Sequence, residues 1–365
     1  MIFIKQILHK AIPYWFPEKN CNLSGFKSLS YYFLIIILSN PVFSQFAINV
    51  SKVGTTSAPF LEIGVGSRAI GMGSAFVAVA DDATALYWNV AGLSRLTQNE
   101  MIFIHSEWLA DIKYDFVGGA FPLSGFGTIG ISIIYLSTDE MKVRTVDEPE
   151  GTGERFSVGD IAMGIAFAKN LNDRFSIGFN AKYIQQKIWH MNATGFAIDI
   201  GTLFTTQFAG MKIGMSISNF GGKMQMFGKD TFVNYDLAPT QEGSNDRIPA
   251  NLKTDKFPLP LLFRVGLAMD VFKSESNHLT IAMDAAHPND NTEYMNFGME
   301  YTINNWLFLR SGYKNIFMLD SEEGLTLGAG LNYKINRAVL MKIDYSYQDF
   351  GRLINAQRLS LALEF

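Results

Sequence analysis

The chain has 365 residues, 48% of them hydrophobic and only 18% charged, with a formal net charge of -4. This excludes a disordered chain, which needs low hydrophobicity and high net charge. It also excludes nucleic acid as a partner, because phosphate contacts need a clustered basic surface. So few charges cannot cover several soluble domains, so either the protein is deeply buried in an oligomer or part of its surface does not face water.

The first element is an apolar run from Leu29 to Leu38, about ten residues, against the roughly 20 that a bilayer-spanning helix needs. Lys27 stands before it, and Val42, Phe43 and Ser44 follow, with small or branched residues at the exit before Gln45. Positive flank, short apolar core and small-residue exit read as a secretory signal peptide over residues 1–44. Its n-region is unusually long, and a start codon placed too early accounts for that. The single cysteine, Cys21, lies ahead of the apolar run, so the cleaved chain has none. Disulfides, cysteine-zinc sites and thiol catalysis are thereby excluded.

Residues 45–99 do not alternate. From Ala58 to Leu93 the chain is rich in small residues, poor in charge, and of a size to fold inside a barrel. A segment packed in a lumen needs small residues for close backbone approach and partners for its polar groups.

From residue 100 onward the dominant period is two. Strands are expected near 100–109, 114–122, 127–138, 159–169, 175–187, 194–206, 211–219, 260–270, 278–286, 293–303, 306–314, 324–335, 338–348 and 357–365. In the last one Leu359, Leu361, Leu363 and Phe365 share one face, and Arg358, Ser360, Ala362 and Glu364 the other. The links alternate between short turns and longer loops, the longest at 139–158 and 220–259. That rhythm, an even strand count and a terminal aromatic predict an all-β fold, a transmembrane antiparallel β-barrel of about fourteen strands over 100–365. The charged strand residues Lys182, Asp199, Arg264, Asp284, Glu300, Lys342, Asp344 and Arg358 fall opposite the apolar set. An Arg or Lys facing lipid at the midplane would cost about 2–4 kcal/mol. Glycines on that polar face, among them Gly130, Gly178, Gly214, Gly266, Gly298, Gly328 and Gly330, leave room inside for other chain.

Catalytic and cofactor chemistry finds little support. Gly64, Gly66 and Ala69 match the dinucleotide spacing G-x-G-x-x-A, but with no preceding strand, following helix or βαβ setting. The histidines His105, His190, His278 and His287 show no ligand spacing, so no metal, no cofactor and no catalytic residue is expected. The acidic residues of the 139–158 loop read as a solvated loop. In the 220–259 loop, Met224, Met226, Phe227 and Tyr235 are candidates for contacting a partner or folding over the mouth.

The block before the barrel carries a resemblance. It runs through Ala58-Pro59-Phe60-Leu61, Gly66-Ser67-Arg68-Ala69, Gly71-Met72-Gly73, Ala80-Asp81-Asp82-Ala83 and Tyr87-Trp88-Asn89, then Ala91-Gly92-Leu93. This resembles the N-terminal signature of the PorV/PorQ family of outer-membrane proteins, within the FadL-like group of fourteen-stranded barrels. The resemblance implies that residues 45–99 form a hatch in the lumen on the periplasmic side. Gly66, Arg68, Gly71, Gly73, Asp81, Asp82 and Asn89 would build it. The family usually has Asn-Pro-Ala where this chain has Asn89-Val90-Ala91, so a looser turn is expected here.

Two functions follow from the resemblance. The first is an accessory of type IX secretion that binds cargo C-terminal domains and works with the translocon. The second is a FadL-like channel taking up a hydrophobic ligand such as a long-chain fatty acid. Both place the chain in the bacterial outer membrane, with lipid as a partner.

Overall fold

Alternating side chains become a closed wall when each strand pairs with both neighbours and no edge is left. In a computed structural model, describing residues 52–241, 243, 247–318, 321–353 and 355–365, the alternating segments do this. The first seven strands are β1 (Glu100–Glu107), β2 (Lys113–Leu123), β3 (Gly127–Ser137), β4 (Val158–Asn170), β5 (Phe175–Ile188), β6 (Met191–Thr205) and β7 (Lys212–Gly221). The second seven are β8 (Leu262–Lys273), β9 (His278–Pro288), β10 (Tyr294–Ile303), β11 (Leu307–Ile316), β12 (Leu325–Lys334), β13 (Leu340–Asp349) and β14 (Asn355–Glu364). Each strand lies antiparallel to its sequence neighbours, and β1 pairs with β14 from Glu100↔Glu364 to Glu107↔Gln357, which closes the fourteen-stranded barrel. The expected signal peptide, residues 1–44, and the remainder up to residue 51 lie outside the described residues.

Burial follows the period. In β1 it alternates without a break, with Phe103 half exposed outward and Ile102 and Ile104 buried inward. Ile131, Ile165, Phe196, Leu327 and Leu361 all point outward. The charged strand residues point in: Asp199, Arg264, Asp284, Glu300, Arg310 and Arg358 are buried.

The two rims differ in their links. One carries short turns, including the three-residue link Asn304–Trp306, in which Asn304 and Asn305 take left-handed backbone and Trp306 N–H donates to Ile303 O. The opposite rim carries the excursions 138–157 and 222–261. It is not uniformly long, which corrects the expected alternation: β5 and β6 run on past the expected ends and are joined by only Trp189 and His190. The 222–261 excursion is itself folded. Met224–Gln225 pairs with Lys256–Phe257, Phe232–Tyr235 with Ile248–Asn251, and Phe227–Gly228 with the start of β6.

Residues 52–99, which we call the inner segment, lie inside from Ala58 to Leu93, with residues 52–55 exposed. Two short helices, α1 (Ser67–Gly71) and α2 (Ala85–Trp88), and 3-10 turns at Pro59–Glu62 and Val90–Arg95 are its regular elements. At one end Ser57 N–H donates to Pro258 O (2.8 Å) and Ala58 N–H to Gln186 Oε1 (2.9 Å), both on the long-loop half. At the other, Asn99 exchanges backbone hydrogen bonds with Phe365 on the short-turn rim. The segment therefore runs the length of the lumen and is not confined to one side, a correction to the periplasmic placement that the resemblance implied.

Candidate functional site at the inner segment and the two lumen mouths

Close approach is the first requirement of a chain lying against a barrel wall, and the wall meets it with glycine. A Cβ on Gly312 would lie 2.5 Å from Gly73 Cα, and one on Gly178 would lie 2.6 Å from Ala91 N. Gly328 faces Gly71, whose own Cβ would come within 3.0 Å of Gly328 Cα. Gly201, Gly214, Gly266 and Gly298 meet inner-segment atoms in the same way, so the inner backbone lies directly on the strands. Among the predicted hatch residues, Gly66 (φ +88°) precedes α1 and Gly73 (φ +63°) follows it, both in backbone that favours glycine. One departure from expectation concerns the G-x-G-x-x-A spacing: a helix, five-residue α1, does follow it. No strand of the described residues precedes it.

The predicted polar residues gather on the short-turn half. Arg68 Nε and Nη2 donate to Glu300 at 2.9 and 3.0 Å, and Nη1 donates to Asp81 at 2.6 Å and Asp82 at 3.0 Å. Glu300 also accepts from Arg310 Nε at 2.6 Å, and Arg310 Nη1 reaches Asp344 at 2.5 Å. Burial works against charging the Arg68 guanidinium, but Asp81, Glu300 and Asp82 hold it protonated well above its ordinary value. For Asp81 burial also opposes charge, and Arg68 and Lys212 nevertheless hold the carboxyl below its usual range. Asp82 accepts from the Thr84 N–H (2.9 Å) and from the Thr84 hydroxyl. Beside this lattice, Lys342 bridges Glu100 (2.6 Å) and Glu364 (2.7 Å), and a cavity of about 250 Å³ separates the two groups.

Asn89 supplies what the missing proline would have preset. It is 1% exposed, accepts from Ala91 N–H (3.2 Å) and donates to Val77 O (2.8 Å) and Thr202 O (3.0 Å). The turn that the absent proline suggested would be loose is held to two other pieces of chain. Asp284 serves similarly from the wall, accepting the N–H groups of Phe76 (2.8 Å) and Val77 (2.9 Å).

The four candidate loop residues separate. Met224 is 1% exposed and sits against Gly195, so it is not available to an external partner, and Met226 packs partly on the core. Phe227 and Tyr235 are 58% and 53% exposed. The histidines His105, His190 and His287 each meet one acid, Asp115, Asp230 and Glu293. The described residues contain no group of three metal-ligating side chains.

Sequence reasoning missed the unequal treatment of buried cations. Arg310 and Lys314 have carboxylate partners, whereas Arg264 and Arg358, 4% and 2% exposed, have no ion pair. Arg358 donates to Gln348 Oε1 (2.8 Å) beneath Trp108, with its centre 4.7 Å from that ring. It lines a cavity of about 720 Å³ with His105, Tyr345 and Leu359. Alternation placed both arginines inside, but partners across a lumen carry no signal in sequence spacing.

No curated protein sequence matches the chain. Solved structures that share its fold include the following three. A Pseudomonas aeruginosa FadL homologue is 11% identical, with a TM-score of 0.50, 82% of this chain covered and 98% of that one. The Pseudomonas putida toluene transporter TodX is 12% identical, with a TM-score of 0.52, covering 82% and 97%. The Ralstonia pickettii toluene transporter TbuX is 11% identical, with a TM-score of 0.50, covering 82% and 97%. A family model described as "Type IX secretion system protein PorV" matches residues 46–286, about two thirds of the sequence. The matched stretch takes in the whole glycine-seated inner segment, eight strands of the wall and most of the ninth, and the chain belongs to the PorV family.

Proposed function

We propose that the protein is an outer-membrane barrel of type IX secretion that receives the C-terminal domains of exported cargo at its long-loop mouth and works beside the translocon. The observation that carries this reading is the family match combined with a lumen occupied by the inner segment, where Phe60, Ile70, Phe76, Leu86 and Leu93 are buried. A lumen filled in this way favours recognition at the mouth, where Phe227 and Tyr235 stand free. The outward apolar face and strands of 8 to 15 residues suit a bilayer, which needs about 9–11 tilted residues per strand. Recognition of this kind calls for no catalytic residue and no cofactor. The test is affinity capture of the intact barrel from its own outer membrane. Cargo C-terminal domains should co-purify, deletion should strip proteins from the cell surface, and failure of both would end this reading.

A second reading, uptake of hydrophobic small molecules such as long-chain fatty acids, is favoured by the cavity of about 720 Å³ between Trp108, Tyr345, Leu359 and Arg358. The fold shared with the toluene transporter TodX also supports it. The inner segment would then act as a movable hatch. Loss of uptake on deletion, with surface proteins intact, would select this reading.

A further inference from the structure

The pairing of β6 with β7 carries one extra residue. Phe220 lies opposite Ile198 and Ile217 opposite Ile200, so Ser218 and Asn219 both face Asp199. Asn219 takes left-handed backbone (φ +63°), and the bulge buries two successive side chains where a regular strand would bury one. Its effect is to bring an amide against a lysine and a carboxylate on the inner face of the wall. Lys182 Nζ of β5 donates to Asn219 Oδ1 and pairs with Asp199 Oδ1 (2.8 Å). The same Asp199 oxygen accepts the Asn219 N–H (2.7 Å), and Asn180 Nδ2 donates to the other oxygen (3.1 Å). Asn219 Nδ2 donates elsewhere, to Pro260 O (2.9 Å), which fixes the amide with its carbonyl toward the lysine. The group is withdrawn from solvent: the Lys182 and Asp199 side chains are 11% and 6% exposed, and Asn219 is 3% exposed.

An ion pair does not need the amide. Two other inward-facing lysines show this, since Lys314 pairs with Glu323, and Lys342 with Glu100 and Glu364. Lys182 instead has an amide carbonyl and an acid together. Those are the parts that acyl transfer to an amine requires: a nucleophile, its carbonyl and a group to carry protons. Burial favours the neutral amine, because an ammonium and a carboxylate are both costly away from water, and passage of one proton from Lys182 to Asp199 discharges both. The adjoining cavity, lined by Leu61, Leu86, Phe116 and Ile134, is about 10 Å³, room for one water at most. The strands hold amine and amide in contact, so no encounter has to be waited for.

We propose that Lys182 and Asn219 join in an intramolecular isopeptide bond, with Asp199 as the proton carrier. The Lys182 ammonium gives a proton to Asp199, and the neutral Nζ attacks Asn219 Cγ. The Nζ–Cγ bond forms and the Cγ–Nδ2 bond breaks. Nδ2 leaves as ammonium, with its own two protons, one from Nζ and the one held by Asp199, which ends as the carboxylate it was at the start. No oxidant or cofactor enters. The bond fastens β5 to β7 across β6, and it stands apart from whether the mouth receives cargo.

The test is peptide mapping by mass spectrometry on the barrel purified from its own outer membrane. Trypsin cuts after Arg174, Lys187, Lys212 and Lys223 but not after an acylated Lys182. The bond therefore yields one branched product joining residues 175–187 to 213–223, lighter than their sum by one ammonia, about 17 Da. Lys182→Arg and Asp199→Asn should each give separate linear peptides, with barrel integrity followed by heat-modifiable mobility. Linear peptides from the unaltered protein, one of them ending at Lys182, overturn the proposal. So does an ammonia loss that maps elsewhere, such as to a cyclised amino-terminal glutamine. A branched product that persists in Asp199→Asn overturns the role given to Asp199. If neither variant folds, the peptide map of the unaltered protein still decides.

Discussion

Gly312→Ala isolates the seating of the inner segment on the wall. Gly312 lies in β11 with ordinary strand backbone, so alanine costs nothing in conformation there; the glycine is required only by the chain packed against it. The added methyl would sit 2.5 Å from Gly73 Cα and closer still to Gly73 N. Carbon atoms in contact prefer about 3.5–4.0 Å, so the inner segment must retreat by about 1 Å. That movement works against Gly73 N–H donating to Thr326 Oγ1 (3.0 Å) and the Thr326 hydroxyl donating to Gly71 O (3.3 Å). Overpacking of a filled core costs about 1–3 kcal/mol and each lost hydrogen bond about 1 kcal/mol, so docking of the segment should weaken by about 2–5 kcal/mol. Hydrogen exchange read by mass spectrometry should show the amides of residues 66–77 exchanging faster by about 30-fold or more, while β1 and β14 keep their protection. Gly222→Ala, with nothing within 4 Å of the added methyl, is the control. Unchanged exchange at 66–77 in Gly312→Ala, or the same rise in the control, would refute the seating argument.

Asn89→Ala should weaken inner-segment docking by about 2–3 kcal/mol, because two buried carbonyls and one N–H lose their partner. Val90→Pro should be neutral or stabilise by up to about 1 kcal/mol, since Val90 is the first residue of its turn and Asn89 before it is extended; thermal melts of the two variants check both signs. Met224→Ala should lower stability by about 2–4 kcal/mol, whereas Phe227→Ala and Tyr235→Ala should leave the melt unchanged and reduce cargo capture. Glu62, at the long-loop mouth, is pushed up to about 7 by burial and by the Asp290 carboxylate. A raised carboxyl favours the folded form while protonated, so its contribution is full below the ordinary value of 4.5 and is lost as pH rises through about 7. Residues 58–65 should therefore loosen between pH 5 and pH 8 beyond the intrinsic rise in exchange, and Glu62→Gln should remove that excess.

Much of the wall was legible because a half-buried strand writes its two faces into every second residue. Leu359, Leu361 and Leu363 against Arg358, Ser360 and Ala362 need no partner to be read. The ends of β5 and β6 were not legible, since Trp189 is no turn former and its left-handed backbone is imposed by the two strands that meet there. In the inner segment the residue types were informative and their partners were not. Gly71 and Gly73 announce close approach, but only the folded barrel brings Gly328 and Gly312 against them.

From its sequence alone this chain is committed to a closed sheet, apolar outside and polar inside, with a small-residue segment ahead of it, because those properties are local and repeat every two residues. Which buried charges are answered and which are not was decided by tertiary structure. Arg68 and Glu300 lie 232 positions apart and form one lattice, while Arg264, on the same polar face as Glu300, makes no ion pair. Electrostatic pairing depends on distance through space, and in a closed barrel that distance is set by strand order, register and the path of the inner chain.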